Sequence, residues 1–125
     1  MKEKIFAKRA PVEIGAYSNA IKCGNLIFIS GQLPVNPENG VVPPTIKEQT
    51  KQVIDNIRNI LADAGATLDN VVKTTVYLQE MYLFGQMNEV YAAEFNEPYP
   101  ARSSLAVKEM AKGALVSLDV TAVIE

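Results

Sequence analysis

Arg102 stands in the stretch PYPARSSLAV, behind a rigid Pro-Ala step and ahead of a run that turns apolar and strand-like. A guanidinium does not lose its proton, and its planar fork of donors matches a carboxylate at two points at once. This residue type therefore suits a small carboxylic acid. If residues 102–107 form a strand, period two puts Arg102, Ser104 and Ala106 on one face and Ser103, Leu105 and Val107 on the other. Leu105 and Val107 would then pack beneath helices, and Arg102 would share a mixed face with Asp119. Taken singly, an arginine in this setting is more often half of a structural ion pair, here with Asp119, or a rim residue. Metal chemistry has little to work with: the chain contains no histidine and one cysteine, so a zinc site would rest almost wholly on carboxylates, which suit that metal poorly.

The elements that must position these residues are legible from periodicity. AIKCGNLIFISGQ holds two apolar runs broken by Gly24-Asn25, a hairpin-turn pair, which predicts antiparallel strands near 18–23 and 26–31. LPVNPENGVVPPT reads as a surface loop. After it, Thr45 and Glu48 have capping-box spacing, and Ile46, Val53, Ile54, Ile57, Ile60, Leu61 and Ala64 recur every three or four positions, predicting an amphipathic helix that ends at Gly65. NVVKTTVYLQ has the β-branched richness of a strand, and FGQMNEVYAAEF returns to helical spacing through Met87, Tyr91 and Phe95 until Pro98 and Pro100 stop it. A turn at Lys112-Gly113 precedes a last strand, with Val116, Leu118, Val120, Ala122 and Ile124 on one face and Leu115, Ser117, Asp119, Thr121 and Val123 on the other. The expected fold is α+β, a mixed sheet with both helices on one face. The second face of the last strand is too apolar for open water and too polar for a dry core, which suits a subunit interface with a wet cleft.

Composition bounds the function classes. A chain of 125 residues with 48% hydrophobic and 21% charged residues has the size and balance of one globular domain over residues 1–125. Its net charge of −2 and pI near 5.2 offer no general attraction to nucleic acid or to an anionic membrane. No run approaches a membrane span, the basic N-terminus lacks a following apolar stretch, and Cys23 has no internal disulfide partner. A cytoplasmic protein is expected, with Cys23 half-buried.

Several blocks, taken in order, resemble the RidA/YjgF family: APVEIGAYSNAIKCGNLIFISGQLP, NVVKTTVYL, NEVYAAEF and PARSSLAV followed by KGALVSLDVTAV. The resemblance covers nearly the whole chain, and PARS followed at this distance by KGALV is its most specific part. It implies a chorismate-mutase-like α+β fold assembled as a homotrimer with clefts between subunits. It also implies hydrolysis of 2-enamines and 2-imines, chiefly 2-iminobutanoate and 2-iminopropanoate, to 2-oxo acids and ammonia. No cofactor and no metal are called for. By the same resemblance Arg102 binds the substrate carboxylate, and Ser104 lends its backbone N–H to the same ligand. Tyr17, Ser30, Gly31 and Asn88 line the cleft, and a carboxylate at position 119 positions or activates the attacking water. The family commonly has glutamate there, so Asp119 is one methylene short, and GAYS replaces the usual GPYS ahead of Tyr17.

Three functions compete on this basis. One is an imine/enamine deaminase acting on a small 2-imino acid. A second is a trimeric module that binds 2-oxo acids without useful turnover because Asp119 is short. A third is an endoribonuclease or translation inhibitor, as some relatives have been called, against which the acidic balance and the missing histidine base both argue.

Overall fold

Gly24 adopts the left-handed backbone (φ 60°) that a two-residue hairpin needs, and with Asn25 it joins Ala20–Cys23 (β2) to Leu26–Gln32 (β3), as the Gly-Asn pair predicts. The computed structural model describes residues 1–125. A strand that the sequence does not announce, Lys2–Ile5 (β1), runs antiparallel to β2 and places Ile5 opposite Ala20. Cys23, at the end of β2, is exposed rather than half-buried, because the hairpin tip carries it beyond the packed layer.

Thr45 caps the helix Ile46–Asp63 (α1): its hydroxyl accepts from the Glu48 amide at 3.2 Å and donates to the Glu48 carboxylate at 2.8 Å. The helix gives way at Gly65, whose φ of 79° no β-carbon-bearing residue takes comfortably. Then follow Val71–Leu78 (β4), Phe84–Glu94 (α2), Ala101–Ala106 (β5), a left-handed turn through Lys112 and Gly113, and Val116–Val123 (β6). The strands make one mixed sheet in the order β1-β2-β3-β6-β4-β5. Only β4 and β5 are parallel, since α2 carries the chain back across the sheet between them.

Both helices cover one face. Ile54, Ile57 and Leu61 of α1 and Met87 and Tyr91 of α2 form a single buried cluster with Val76 and Leu78 of β4 and with Val116, Leu118, Val120 and Ala122 of β6. The last strand thus turns its uniformly apolar side to the helices, as its alternation predicts. On the uncovered face lie Phe28, Thr75, Tyr77, Asp119 and Thr121. Phe28 stays 44% exposed there.

Candidate functional site

The residues that the sequence singles out fall into two clusters, on opposite faces of the sheet. The first is built on α2. Phe84, Asn88 and Tyr91 stand at i, i+4 and i+7, so they form one stripe along the helix. Arg102 of β5 lies next to Thr74 in the parallel register, and the Thr74 hydroxyl hydrogen-bonds the Tyr91 phenol at 2.8 Å. Arg102 therefore points to the helix side. Its guanidinium carbon sits 4.6 Å from the centre of the Tyr91 ring and 5.1 Å from that of Phe84, and its Nη1 donates to Asn88 Oδ1 at 2.8 Å. Burial pushes the Tyr91 phenol above its ordinary pKa, although the Thr74 hydrogen bond and the Arg102 charge both pull it down.

This arrangement corrects two expectations. Arg102 and Asp119 do not share a face, and no ion pair joins them: the chain's ion pairs all involve other residues. Leu105 does not pack beneath the helices but is 41% exposed on the other side, and Val107 is only half-buried beyond the strand's end. The physical reason is that α2 places two aromatic faces and an amide oxygen beside β5. The half-buried guanidinium there gains one hydrogen bond and two cation–π contacts, which offset part of the hydration it loses. Nε and Nη2 of Arg102 have no protein partner, and Arg102 borders a cavity of about 380 Å³ lined also by Asn88, Tyr91, Ala92, Tyr99 and Pro100.

Ser104 is on the same side as Arg102, and its backbone direction follows from the ladder. The Val107 N–H reaches the Leu78 carbonyl at 2.9 Å, so residues of odd number on β5 turn their amides toward β4. Arg102, Ser104 and Ala106 then turn theirs outward, along the unpaired edge of the sheet. The Ser104 N–H is thus available beside the Arg102 side chain. Its hydroxyl is enclosed and has no hydrogen-bond partner.

The second cluster is built on a bulge in β3. Register with β6 shifts between Ile29 and Gln32, which displaces Ser30 and Gly31 from regular pairing. Ser30 is pinned to the preceding loop twice: its N–H donates to the Asn19 carbonyl at 2.9 Å and its hydroxyl to the Ser18 carbonyl at 2.6 Å. Asn19 and Gln32, both buried and neither singled out by the sequence, complete the anchor. Gln32 Nε2 donates to Asn19 Oδ1 at 3.2 Å and to the Ser30 carbonyl at 3.1 Å, and Asn19 Nδ2 donates to the Pro11 carbonyl at 2.9 Å. Ser30, Gly31 and Asp119 border a depression of about 390 Å³ on the uncovered face. Gly31 also borders a larger neighbouring cavity, about 570 Å³, whose wall includes Tyr17. Tyr17 is 46% exposed, and its hydroxyl accepts from the Ile14 N–H at 3.3 Å across the turn that Gly15 (φ 112°) makes.

Asn88, Arg102 and Ser104 thus gather on one side, and Ser30, Gly31 and Asp119 on the other, with Tyr17 on the neighbouring cavity that shares Gly31. Phe84 and Tyr91 belong to the arginine's setting, and their spacing with Asn88 is the signal in the sequence that could have found them.

The endoribonuclease L-PSP family model matches residues 7–124. The chain belongs to the YjgF/RidA family. A RutC family protein of Pyrococcus abyssi is 51% identical over 122 residues, covering 97% of this chain and 96% of its own length. RidA from an Antarctic Psychrobacter superposes with a TM-score of 0.94 at 39% identity, over 98% of this chain and 99% of that one. TdcF of E. coli, solved with bound serine, gives 0.93 at 30% identity over 98% and 99%. The six-stranded mixed sheet with its two helices is the YjgF fold. No helix of this YjgF/RidA chain is long and apolar enough to cross a membrane, and nowhere do three or more Cys, Asp or Glu side chains gather as a metal site would require.

Proposed function

We propose that this YjgF/RidA chain is a cytoplasmic homotrimer that hydrolyses small 2-imino and 2-enamino acids, such as 2-iminobutanoate and 2-iminopropanoate, to 2-oxo acids and ammonia. The observation that carries the proposal is Arg102: a half-buried guanidinium held by an amide and two aromatic rings, with no carboxylate partner and with Nε and Nη2 free. A substrate carboxylate supplies the missing negative charge, and the outward Ser104 N–H adds a donor beside it. Serine bound in TdcF is a ligand of this kind in a relative.

The two clusters face opposite sides of one sheet, so a single chain cannot enclose a small ligand with both. A cleft between copies can: Arg102, Asn88 and Ser104 of one copy meet Tyr17, Ser30, Gly31 and Asp119 of its neighbour. The chemistry asks for orientation, a water and a proton carrier. Water adds to C2 of the iminium while Asp119 takes its proton. Asp119 then returns that proton to the carbinolamine nitrogen, the C–N bond breaks as the C=O bond forms, the hydroxyl proton passes back to the Asp119 carboxylate and on to solvent, and ammonia leaves. An enamine enters after a proton is added at C3. No metal or cofactor takes part in these steps.

The test is ammonia release from enzymatically generated 2-aminoacrylate and 2-aminocrotonate. The chain should exceed the buffer rate, and Arg102→Ala should remove nearly all of the excess; a wild-type rate equal to buffer refutes the enzyme. A second reading, a trimer that binds 2-oxo acids without turnover, is favoured by the shortness of Asp119. Saturable binding of pyruvate or 2-oxobutanoate with a silent deaminase assay selects it, and Asp119→Glu then gains turnover. Nucleic acid is not the expected partner of a chain with net charge −2.

A further inference from the structure

Asp119 is not free on the uncovered face. Tyr77 of β4 stands diagonally across the ladder from it, since Thr75 pairs with Asp119 and Tyr77 with Ser117, and an aromatic side chain spans that diagonal. The Tyr77 hydroxyl donates to Asp119 Oδ2 at 2.9 Å, and Oδ1 has no protein partner. The two residues lie 42 positions apart in sequence, and both are half-buried. A phenol has one proton to give, and it is given to Oδ2, which anchors that oxygen and leaves Oδ1 without a protein donor. The hydrogen bond to Asp119, and then burial, push the phenol's pKa up, so the hydroxyl keeps its proton.

A short carboxylate has fewer ways to reach a water than a long one, but also fewer rotamers to lose. We propose that Tyr77 is the positioning residue of the site: it locks Asp119 by Oδ2 so that Oδ1 alone is presented to the attacking water in the depression shared with Ser30 and Gly31. This rests on the deaminase reading. It adds to it a residue that never touches the substrate and that makes an aspartate serviceable at this position.

The test is Tyr77→Phe, which keeps the ring and removes only the hydroxyl. Loss of one hydrogen bond to a charged group predicts a kcat about 10-fold to 100-fold lower. KM and the Kd for 2-oxobutanoate should stay within about 2-fold, because Arg102 and Ser104 hold the ligand. In an Asp119→Asn background the same change should add nothing further, since there is no carboxylate to orient. In an Asp119→Glu background its effect should shrink, the longer side chain no longer meeting the phenol in the same way. An unchanged kcat for Tyr77→Phe, or a loss that appears in KM and Kd, or one that adds fully to Asp119→Asn, overturns the proposal while leaving the deaminase reading intact. A wild-type chain that releases no ammonia overturns both, and is recognised by its own silence.

Discussion

Subunit complementation tests the division of the site most directly. Arg102→Ala removes the proposed ligand anchor from one side of the sheet and Asp119→Asn removes the proposed proton carrier from the other. A bidentate carboxylate contact consists of two charge-assisted hydrogen bonds, so Arg102→Ala should lower kcat/KM by roughly 10²-fold to 10⁴-fold. Unfolding the two variants together in equal amounts and refolding them lets copies mix at random. Because Arg102 and Asp119 point to opposite faces, each cleft of the proposed trimer would draw them from different copies. Each copy carries the required intact group half the time, so about one quarter of clefts regain both groups. Ammonia release should therefore recover to about a quarter of the wild-type rate, far above either parent alone. The mass of differently tagged chains verifies that mixed assemblies of the proposed trimer formed. If they form and the rate stays at the parental level, the site does not combine these residues from two copies, and the reasoning from sheet faces is wrong.

Other perturbations separate holding from folding. Arg102→Ala should shift the thermal midpoint by no more than about 3–5 °C: the lost ring and Asn88 contacts are offset by relief of a half-buried charge, which leaves a net of about 1 kcal/mol or less. A fall of more than about 10 °C with 2-oxobutanoate binding retained would make the arginine structural. Ser104→Ala removes an enclosed hydroxyl that has no partner and should stabilise the chain by about 1 kcal/mol, with deaminase activity kept because the site asks only for the backbone N–H; a lower midpoint in calorimetry contradicts this. Glu94 is held below the ordinary carboxylate range by its hydrogen bond to Arg58, against burial and with help from Lys51. A depressed folded-state pKa contributes stability above the unfolded value that is lost as pH falls through the folded one. Glu94→Gln should therefore be less stable than wild type near neutrality, and urea midpoints of the two should converge in acid; a gap independent of pH refutes that origin.

The sequence by itself determined those features whose cause is local. Gly24-Asn25 dictates a two-residue hairpin because only a left-handed residue closes it, and Thr45 with Glu48 starts α1 because the cap is made within one turn. The alternation of Val116, Leu118, Val120 and Ala122 fixes which side of β6 is buried, and the order of motifs identifies the family. Other features depend on partners distant in sequence. The charged segment Lys2–Ile5 becomes a strand because β2 offers it an edge, and nothing in its own pattern requires that. Strand parity correctly groups Arg102 with Ser104, but parity names companions and not the covered side. The stripe of Phe84, Asn88 and Tyr91 draws the guanidinium toward the helices, away from Asp119. The Tyr77–Asp119 hydrogen bond exists only because antiparallel register sets β4 against β6. Period and turn chemistry act between neighbours along the chain, whereas the side to which a charge turns depends on what the rest of the fold brings beside it.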